Sequence, residues 1–337
     1  MIQVTYFHRK PRVCSYSVEF VFEQLREDLA GRVLSRVHVA PFFSNGLFRR
    51  VGIVLDTAIH AGQINHITGD ITFAGLLLPK ARTILTILDC GGADAPGIKG
   101  HLLRWLWFRL PAKRAAIITT ISNAAREDIL RITKCRPEKV VVIPVAISKM
   151  YRQHPKLNSS DPPRILQVGT SANKNLERVV EALEGIQCTL VIIGELTDNQ
   201  RKLLQHYNVS FSNFVGLSRE RLYEEYQLCD LVTFVSLFEG FGMPIVEAQS
   251  VGRPVLTSSL CSLPEVAGDG AYFIEDPTNV KSIRNGILQL LRDPVLRNRL
   301  VNSGLINAKR FNSQSIAHQY FDIYQRVSEQ ITNSNHD

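Results

Sequence analysis

Several short motifs that mark common enzyme classes are missing from this sequence of 337 residues. It contains no Gly-x-Gly-x-x-Gly and no Walker lysine, so dinucleotide oxidoreductases and P-loop enzymes lose support. It contains no Asp-x-Asp pair, which would be the obvious chelate for a metal ion bridging a diphosphate. The six cysteines are scattered without a Cys-x-x-Cys pair, which favours reduced cytoplasmic thiols over a disulfide framework or a zinc site.

Long apolar runs are missing as well. No stretch approaches the ~18 consecutive apolar residues that a transmembrane helix needs. The chain begins with a strand-like run followed by basic residues, the reverse of the order in a signal peptide. We therefore expect a cytoplasmic protein that contacts a membrane, if at all, peripherally and on the inner face.

Excess positive charge is present, but only in the first half of the chain. Residues 1–150 contain 21 Lys and Arg against 11 Asp and Glu, whereas the remaining residues contain 18 against 20. A basic domain favours an anionic partner, such as a phospholipid surface or a lipid diphosphate. Nucleic acid is not expected as a partner, because the sequence shows no nucleic-acid-binding motif.

Strand-like and helix-like runs alternate along the chain, and this alternation predicts parallel sheets with helices on both faces. The predicted strands are residues 2–7, 32–40, 64–67, 83–88, 116–121, 140–143, 164–168, 189–193, 231–235, 254–257 and 271–274. Residues 18–29 predict an amphipathic helix, and Asn123 is predicted to cap another helix that ends near Ile132.

The segment 149–163 has the polar, proline-containing composition of a linker. We therefore predict an N-terminal domain at residues 1–155 and a C-terminal domain at residues 156–312, with a C-terminal helix and tail at residues 313–337.

The segment 236–268 carries the most informative pattern. Glu239 and Glu247 stand eight residues apart, and between them lies a turn formed by Gly240, Phe241, Gly242, Met243 and Pro244. Glycines let the backbone approach a ligand, proline suits a first helical turn, and N–H groups at a helix start favour a phosphate. The pattern predicts a nucleotide-sugar site, with Glu239 at its mouth and Glu247 accepting hydrogen bonds from ribose hydroxyls. The structural alternative is a surface acid followed by an acid that complements a helix macrodipole.

This segment resembles the E-x7-E motif of retaining glycosyltransferases of the GT-B fold, in the large family 4 of that class. The similarity continues through residues 259–268 (SLCSLPEVAG) and 310–327 (RFNSQSIAHQYFDIYQRV), and it covers the first half of the chain only loosely. The resemblance implies an α/β protein with two Rossmann-like domains facing a central cleft. It also implies that the C-terminal domain binds the nucleotide sugar, that the N-terminal domain presents the acceptor, and that the last helix crosses back to the N-terminal domain. In this family Glu239 would face the hydroxyls of the transferred sugar, and Glu265 lies in the matching LPEVAG loop.

The loop 169–175 (GTSANKN) directly follows a predicted strand, where α/β sheets place their ligands. Gly169 and Thr170 are candidate donor-binding residues, and Lys174 supplies a cation for the departing diphosphate. The loop resembles the phosphate-binding turn of the family, although an arginine that many relatives carry just before the lysine is missing here. We expect a metal-free diphosphate site made of loop amides and Lys174, without any cofactor. A solvated lysine beside a helix start is the alternative.

Residues 86–91 (TILDCG) end a predicted strand in the N-terminal half. The family usually has Thr-Ile-His-Asp here, and its histidine reaches the donor sugar. This chain has Leu88 in place of that histidine and keeps Asp89, which is a catalytic candidate by resemblance. Leucine neither donates a hydrogen bond nor carries charge, so the departure bears on activity or on sugar preference. His66 and His101 are possible substitutes, although a lone histidine is more often structural.

The segment 99–114 combines an apolar stripe with basic and aromatic side chains, which include Arg104, Trp105, Trp107 and Arg109. Such a helix could lie in a membrane interface. The alternative is a helix docked on its own domain, with arginines that extend to solvent. The basic character of this half favours contact with an anionic membrane.

Three basic residues, Arg9, Lys10 and Arg12, follow the first predicted strand. They are candidates for the acceptor side of the site, where a lipid-linked diphosphate would be attracted by their charge. A solvated loop explains the same residues equally well.

The resemblance implies a retaining glycosyltransferase, and the missing Asp-x-Asp pair favours a metal-independent one. It would move a sugar from a nucleotide-diphosphate sugar to a glycan or lipid-linked acceptor in bacterial surface-polysaccharide assembly, lipopolysaccharide included. A catalytically weakened nucleotide-sugar-binding partner in a membrane glycan-assembly complex is the alternative that Leu88 and the missing arginine favour. A sugar-nucleotide epimerase of the same fold has less motif support.

Overall fold

The computed structural model describes residues 1–11, 17–91, 97–156 and 160–333. The chain divides into two compact units, one made of Met1–Ala146 and Ser313–Asp337 and the other of Ile147–Asn312. The second unit therefore begins nine residues before the predicted start at residue 156, and the chain returns to the first unit at residue 313.

The N-terminal unit contains a parallel sheet of six strands in the order β2-β1-β3-β4-β5-β6. Its strands are β1 (Ile2–His8), β2 (Val33–Val39), β3 (Ile64–Ile67), β4 (Thr83–Thr86), β5 (Ile117–Thr120) and β6 (Val140–Val142). In the part of this unit that precedes residue 147, the helices are α1 (Ser17–Asp28), α2 (Leu47–Ile59), α3 (Gly97–Leu103), α4 (Leu110–Arg114) and α5 (Asn123–Thr133). A π-helical segment, Arg104–Arg109, joins α3 to α4, and short 3-10 turns lie at Thr72–Leu77, Lys80–Arg82 and Pro137–Lys139.

The C-terminal unit contains a second parallel sheet of six strands, in the order β12-β11-β10-β7-β8-β9. Its strands are β7 (Arg164–Val168), β8 (Thr189–Ile193), β9 (Ser210–Phe214), β10 (Leu231–Phe234), β11 (Val255–Ser258) and β12 (Tyr272–Ile274). Its helices are α6 (Leu176–Ala182), α7 (Asp198–His206), α8 (Arg219–Leu228), α9 (Met243–Val251), α10 (Leu263–Ala267), α11 (Val280–Arg292) and α12 (Pro294–Ala308). Its 3-10 turns are Ala172–Lys174, Gly268–Gly270 and Lys309–Phe311.

The last helix, α13 (Ser313–Asn333), belongs to the N-terminal unit. Its apolar face packs with Val4 and Tyr6 of β1 in one buried cluster, to which α13 contributes Tyr320, Tyr324 and Val327. The helix thus covers one face of the N-terminal sheet, and its apolar side chains recur at the spacing expected of a helix that docks along one side.

The strands formed where the sequence shows short, continuous apolar runs, because strands in a parallel sheet are covered on both faces. All four residues of β10 are buried, for example, and the same is true of β4. Every predicted strand overlaps an observed strand. The edge strand β9, which has the polar sequence SFSNF, was not predicted, and neither were the helices α2, α7 and α8.

The predicted capping role of Asn123 is wrong. The N-cap of α5 is Ser122, whose Oγ accepts a hydrogen bond from the backbone N–H of Ala125 at 3.1 Å. Ser122 has the extended backbone that an N-cap requires, and Asn123 is already the first helical residue.

Candidate functional site

The strand order of the C-terminal sheet identifies where a ligand would bind. Numbered within the unit, its strands run 3-2-1-4-5-6, so the direction of winding reverses between β7 and β10. In open α/β sheets the crevice outside the carboxyl ends of the strands at this reversal is the usual ligand site. The loop after β7 and the loop after β10 meet there, and the backbone N–H of Leu237 donates to the carbonyl of Asn173 at 2.8 Å.

The loop after β7 needs a glycine at its first position. Gly169 has a φ of 94°, and a Cβ there would lie only 2.9 Å from Cγ of Lys174. The loop ends at Asn175, which is buried and donates hydrogen bonds to the carbonyls of Val235 at 3.1 Å and Pro277 at 2.7 Å. Gly169 therefore leaves room for the lysine, and Asn175 ties the loop to the end of β10.

Lys174 and Glu239, predicted separately from the sequence, form an ion pair across these two loops. Nζ of Lys174 lies 2.5 Å from Oε1 of Glu239, and their side chains are only 20% and 12% exposed. Nζ also lies 4.8 Å from the centre of the Phe234 ring. Asn173 donates to the carbonyl of Phe238 at 3.0 Å and lies 3.4 Å from Oε1 of Glu239. A half-buried cation and carboxylate are thus held together at the reversal point.

The turn from Glu239 to the start of α9 also depends on a glycine. Gly242 is the N-cap of α9 and has a φ of 107°, and a Cβ there would lie 2.8 Å from Cδ2 of Leu263. Oγ of Ser262 lies 3.0 Å from the carbonyl oxygen of Glu239 and 2.9 Å from that of Phe241, so it can donate to either. No side chain caps the start of α9. Its first-turn N–H groups, together with the helix dipole, favour an anion at this position.

The remaining donor-site candidates lie on the same two loops. Phe241 is buried and packs edge-on against Phe311, with the ring centres 5.5 Å apart. Thr170 donates from Oγ1 to the carbonyl of Glu195 at 2.7 Å. Gly240, Met243 and Pro244 complete the turn and the first residues of α9.

Glu247 lies one turn into α9 and is held by two tyrosines. Tyr226 donates from Oη to Oε2 of Glu247 at 2.7 Å, and Tyr151 also hydrogen-bonds to this carboxyl group. Burial raises the pKa of Glu247, and the two tyrosine hydroxyls oppose that rise. Neither tyrosine was predicted from the sequence, because Tyr151 lies in the predicted linker and Tyr226 in a polar helix with no recognisable spacing.

The N-terminal catalytic candidate, Asp89, lies in the loop after β4. Its Oδ1 accepts a hydrogen bond from the backbone N–H of Gly91 at 2.8 Å, and the residue is exposed. Leu88 beside it is half-buried. Asp89 therefore closes a local turn at the carboxyl edge of the N-terminal sheet, and its catalytic role stays a prediction.

His66 does not reach a site, because it is fully buried in β3. Its Nδ1 lies 2.9 Å from Oη of Tyr324, and its Nε2 lies 2.7 Å from Oγ1 of Thr86. Burial lowers the pKa of His66 to about 3. The structural interpretation of this histidine is therefore correct. His101, by contrast, is exposed on α3.

The candidates for the acceptor side have partners within the N-terminal unit. Arg9 forms ion pairs with Glu19 at 2.7 Å and Asp70 at 3.2 Å. Nζ of Lys10 lies 5.1 Å from the centre of the Phe43 ring, and the residue is exposed. Arg12 lies outside the described residues. Acceptor contact by these side chains stays a prediction.

The segment 99–114 is helical but divides its aromatic residues between two environments. Trp107 packs edge-on against Phe73 at 5.4 Å, and the Arg50 guanidinium lies 4.3 Å from the centre of its indole ring. Arg109 donates from Nε to the carbonyl of Ile132 at 2.8 Å. Trp105, in contrast, is 46% exposed. Trp107 and Arg109 thus serve packing within the unit, and a membrane role would rest on Trp105 and on the half-buried Arg104 beside it. Among the described helices, none combines the length and the apolar character needed to cross a membrane.

One group of side chains in the described residues could ligate a metal ion. His38, Asp56 and His60 can each bring one ligand atom within 4.8 Å of the others. Asp56 already lies 2.6 Å from Nε2 of His38, and the two imidazole rings stack at 4.0 Å. The group lies on β2 and at the end of α2, so it shares no element with the donor-site candidates.

The region that holds these donor-site candidates is similar to known proteins. Residues 150–305 match the family model for glycosyl transferases group 1. The O-antigen chain mannosyltransferase B of Escherichia coli is 28% identical over 233 residues, which are 62% of this chain and 60% of that protein. An MMP α-(1→4)-mannosyltransferase of Mycolicibacterium hassiacum is 28% identical over 246 residues, which are 68% of this chain and 59% of that one. The chain therefore spans about three-fifths of the length of these relatives.

The crystal structure of the Anabaena protein Alr3699/HepE in complex with UDP and glucose superposes on the chain with a TM-score of 0.75. The two are 14% identical, and the superposition covers 96% of this chain and all of that one. The predicted fold of two Rossmann-like domains is thereby confirmed, as is the resemblance to glycosyltransferases of the GT-B fold. The chain therefore has the GT-B fold, and its residues 150–305 are similar to the glycosyl transferases group 1 family.

Proposed function

We propose that this protein is a glycosyltransferase that takes its sugar from a nucleotide-diphosphate sugar. The observation that carries the proposal is the meeting of Lys174 and Glu239 at the reversal point of the C-terminal sheet, beside the uncapped start of α9. The named activities of the related mannosyltransferases and the UDP bound by the structural neighbour support it. The same names make mannose the first sugar to test.

The ion pair suggests how the diphosphate is received. A diphosphate at the start of α9 would offer Lys174 a stronger partner than the single carboxylate of Glu239. The lysine would then turn to the phosphates, and Glu239 would be released to accept hydrogen bonds from the sugar hydroxyls. The positive charge matters most as the bond to the diphosphate breaks, because negative charge grows on the leaving group at that stage.

The held position of Glu247 fits a role in ribose binding. A carboxylate oriented by two tyrosine hydroxyls presents its remaining acceptor positions in a fixed direction, which reduces the entropy lost when a hydroxyl donates to it. We propose that Tyr151 and Tyr226 are positioning residues for this carboxylate.

For the chemical step we propose retention of configuration without a metal ion. The bond from the anomeric carbon to the diphosphate oxygen breaks, and the acceptor hydroxyl oxygen bonds to the same face of that carbon. The proton of the acceptor hydroxyl passes to the departing diphosphate, so charge and atoms balance without a protein nucleophile. The acceptor would be a glycan or a lipid-linked sugar of a bacterial surface polysaccharide, in keeping with the O-antigen relative.

The test is a transfer assay with nucleotide-diphosphate sugars and glycan acceptors in the presence of EDTA. NMR of the product should show that the transferred sugar has the same anomeric configuration as it had in the donor. Glu247→Ala should weaken donor binding and reduce transfer, whereas Glu184→Ala, an exposed acid after α6, should not. Transfer by Glu247→Ala at the wild-type rate would remove the assignment of the site.

The second candidate, a nucleotide-sugar-binding partner without catalysis, is favoured by Leu88 at the carboxyl edge of the N-terminal sheet. It predicts donor binding that depends on Lys174 but no transfer to any acceptor. Installing the histidine with Leu88→His should then create transfer activity, and no change would count against this candidate.

A further inference from the structure

A strongly basic pocket lies at the amino ends of β4, β5 and β6, at the opposite edge of the N-terminal sheet from the strand ends that carry Leu88 and Asp89. Its volume is about 640 Å³. Its lining includes six cationic side chains, from Lys80, Lys113, Lys134, Arg136, Lys139 and Arg326. Glu138 is the single acidic residue of the lining.

The six cations converge from separate parts of the chain. Lys80 precedes β4, Lys113 ends α4, and Arg326 comes from the middle of α13. Lys134, Arg136 and Lys139 belong to the connection between α5 and β6. The fold brings these six side chains together, so the cluster cannot be recognised from the composition of any one segment.

These positive charges are not neutralised within the described part of the chain, where none of the six cations lies within ion-pair distance of a carboxylate. Lys139 donates from Nζ to the carbonyl of Ala112 at 2.5 Å. Burial lowers the pKa of Lys139, and the neighbouring charge of Lys80 lowers it further. The cations therefore repel one another, and an anion in the pocket would relieve that repulsion.

Helix dipoles explain only part of the arrangement. Lys113 lies in the last turn of α4, and Lys134 is the C-cap of α5, where cations complement the negative end of a helix. Lys139 bonds to a carbonyl at the end of α4. No helix end accounts for Lys80, Arg136 or Arg326, which are exposed and line the same space.

We propose that this pocket binds a phosphate-bearing anion, held chiefly by Lys80, Arg136 and Arg326. Guanidinium groups bind phosphate oxygens in a bidentate manner and lysine adds a point charge, so this combination suits a phosphate or diphosphate better than a carboxylate. The volume lies within the range of about 300–1,000 Å³ that is common for small-molecule sites. The bound group is either a free phosphorylated compound or the headgroup of an anionic lipid. The proposal does not depend on the donor site, whose candidate residues belong to the other unit.

Cys135 provides a local probe, because it lines the pocket and is half-buried. The experiment measures the rate at which iodoacetamide alkylates Cys135, by peptide mass spectrometry, with pyrophosphate and with sodium chloride at equal ionic strength. We expect pyrophosphate to slow alkylation at least threefold relative to the chloride control. Cys261 is followed in the same sample, because pyrophosphate at the proposed donor site would act in the C-terminal unit and leave the rate at Cys135 unchanged.

Two charge-matched variants complete the test. Lys80→Glu combined with Arg136→Glu should abolish the protection of Cys135, whereas Arg36→Glu combined with Arg49→Glu, two exposed arginines of the same unit, should keep it. Circular dichroism melting verifies that both variants fold. If both double variants lost the protection of Cys135 equally, the protection would depend only on the net charge of the protein, and the proposal would be overturned.

A second arm distinguishes the source of the phosphate. Vesicles of phosphatidylglycerol replace pyrophosphate, and vesicles of phosphatidylcholine serve as the control. Protection by phosphatidylglycerol alone identifies a lipid headgroup, and protection by pyrophosphate alone identifies a free compound. Absence of protection by both probes would contradict the proposal.

Discussion

At the scale of single residues, the ion pair between Lys174 and Glu239 has to be stable in the free protein and still able to open when a diphosphate binds. Its half-buried position makes each charge depend on the other, because an unpaired charge there loses hydration without compensation. The proposed reaction needs the same lysine to exchange that partner for a diphosphate. The pair is therefore best understood as a preformed, exchangeable contact.

The first prediction concerns the charge of Lys174. Lys174→Met keeps an apolar chain over the Phe234 ring but removes the cation, so packing should be largely retained. Because one electrostatic contact to the leaving group is lost, we expect turnover to fall by about 10²-fold or more. Lys202→Met, an exposed residue of α7, is the control. Steady-state transfer rates decide the matter, and an unchanged rate for Lys174→Met would exclude the proposed role.

The second prediction concerns protonation of buried histidines in the N-terminal sheet. Burial lowers the pKa of His66 to about 3 and that of His8 to about 4, from an ordinary value of 6.5. Between the lowered pKa of each histidine and its ordinary value of 6.5, the unfolded chain therefore binds more protons than the folded chain. Folding stability consequently falls as the pH drops below about 6.5. The slope should be about 1.4 kcal/mol per pH unit for each histidine, and the contribution is fully present above that pH.

His66→Gln removes one titrating group while it keeps hydrogen-bonding atoms in place, so the slope between pH 6 and pH 4 should decrease by about 1.4 kcal/mol per pH unit. Urea unfolding followed by tryptophan fluorescence measures this, since Trp105 and Trp107 both lie in the N-terminal unit. An identical slope in wild type and His66→Gln would show that His66 is not the origin.

At the scale of secondary-structure elements, α9 explains why the turn before it contains glycine. The helix has left-handed glycines at both ends, Gly242 with a φ of 107° and Gly252 with a φ of 79°. Their surroundings differ, because a Cβ at Gly242 would lie 2.8 Å from Leu263 whereas one at Gly252 would meet its nearest atom at 3.7 Å. The two positions therefore allow backbone strain to be separated from crowding.

The third prediction uses this pair. Gly252→Ala should destabilise the C-terminal unit by about 1 kcal/mol through its backbone alone and leave donor affinity unchanged. Gly242→Ala adds the clash with Leu263, so we expect a further loss of roughly 1–3 kcal/mol and weaker donor binding. Thermal unfolding and calorimetric titration of the donor measure the two effects. Equal donor affinity in both variants would show that the start of α9 is not part of the site.

The elements also show which features of the fold a sequence can predict. Interior strands such as β7, β8 and β10 were predicted within a residue or two, because burial on both faces leaves a continuous apolar run. The edge strand β9 has polar residues and gives no such signal. The helix α2 was missed because it starts at Gly46 without a capping side chain and exposes Leu47, Phe48 and Ile59.

In the candidate site, too, features with a local sequence signal were predicted and features without one were not. Glu239 and Lys174 were each identified from the motif around them, but 65 residues separate them and their contact depends on the strand order of the sheet. Tyr151 and Tyr226 were not identified at all, since only the folded chain brings them to Glu247. The local motifs were therefore recognisable from the sequence, whereas the pairing of distant groups was not.

At the scale of the whole molecule, the uneven charge divides the proposed tasks between the two units. The excess of basic residues in the first half suits an anionic surface or acceptor, and the nearly neutral remainder carries the donor-site candidates. The segment Arg104–Arg109 contributes one exposed tryptophan to the basic unit, whereas its other tryptophan is part of the packing.

The fourth prediction separates these two tryptophans in membrane binding. Trp105→Ser should lower the fraction of protein that sediments with phosphatidylglycerol vesicles severalfold, without a change in melting temperature. Trp107→Ser should instead lower the melting temperature, because it removes contacts with Phe73 and Arg50. Sedimentation that is unaffected by Trp105→Ser would remove this segment from the membrane hypothesis.

The proposed nucleotide-sugar site is tested by the thermal stability of the protein with a panel of UDP-, GDP-, ADP- and dTDP-sugars in EDTA. A donor at 100 times its dissociation constant should add about 2.7 kcal/mol to the stability of the unit that binds it. We expect one nucleotide class to raise the melting temperature of wild type and Lys174→Met to reduce this increase. A folded protein that no member of the panel stabilises would contradict the assignment of the C-terminal domain as a nucleotide-sugar site.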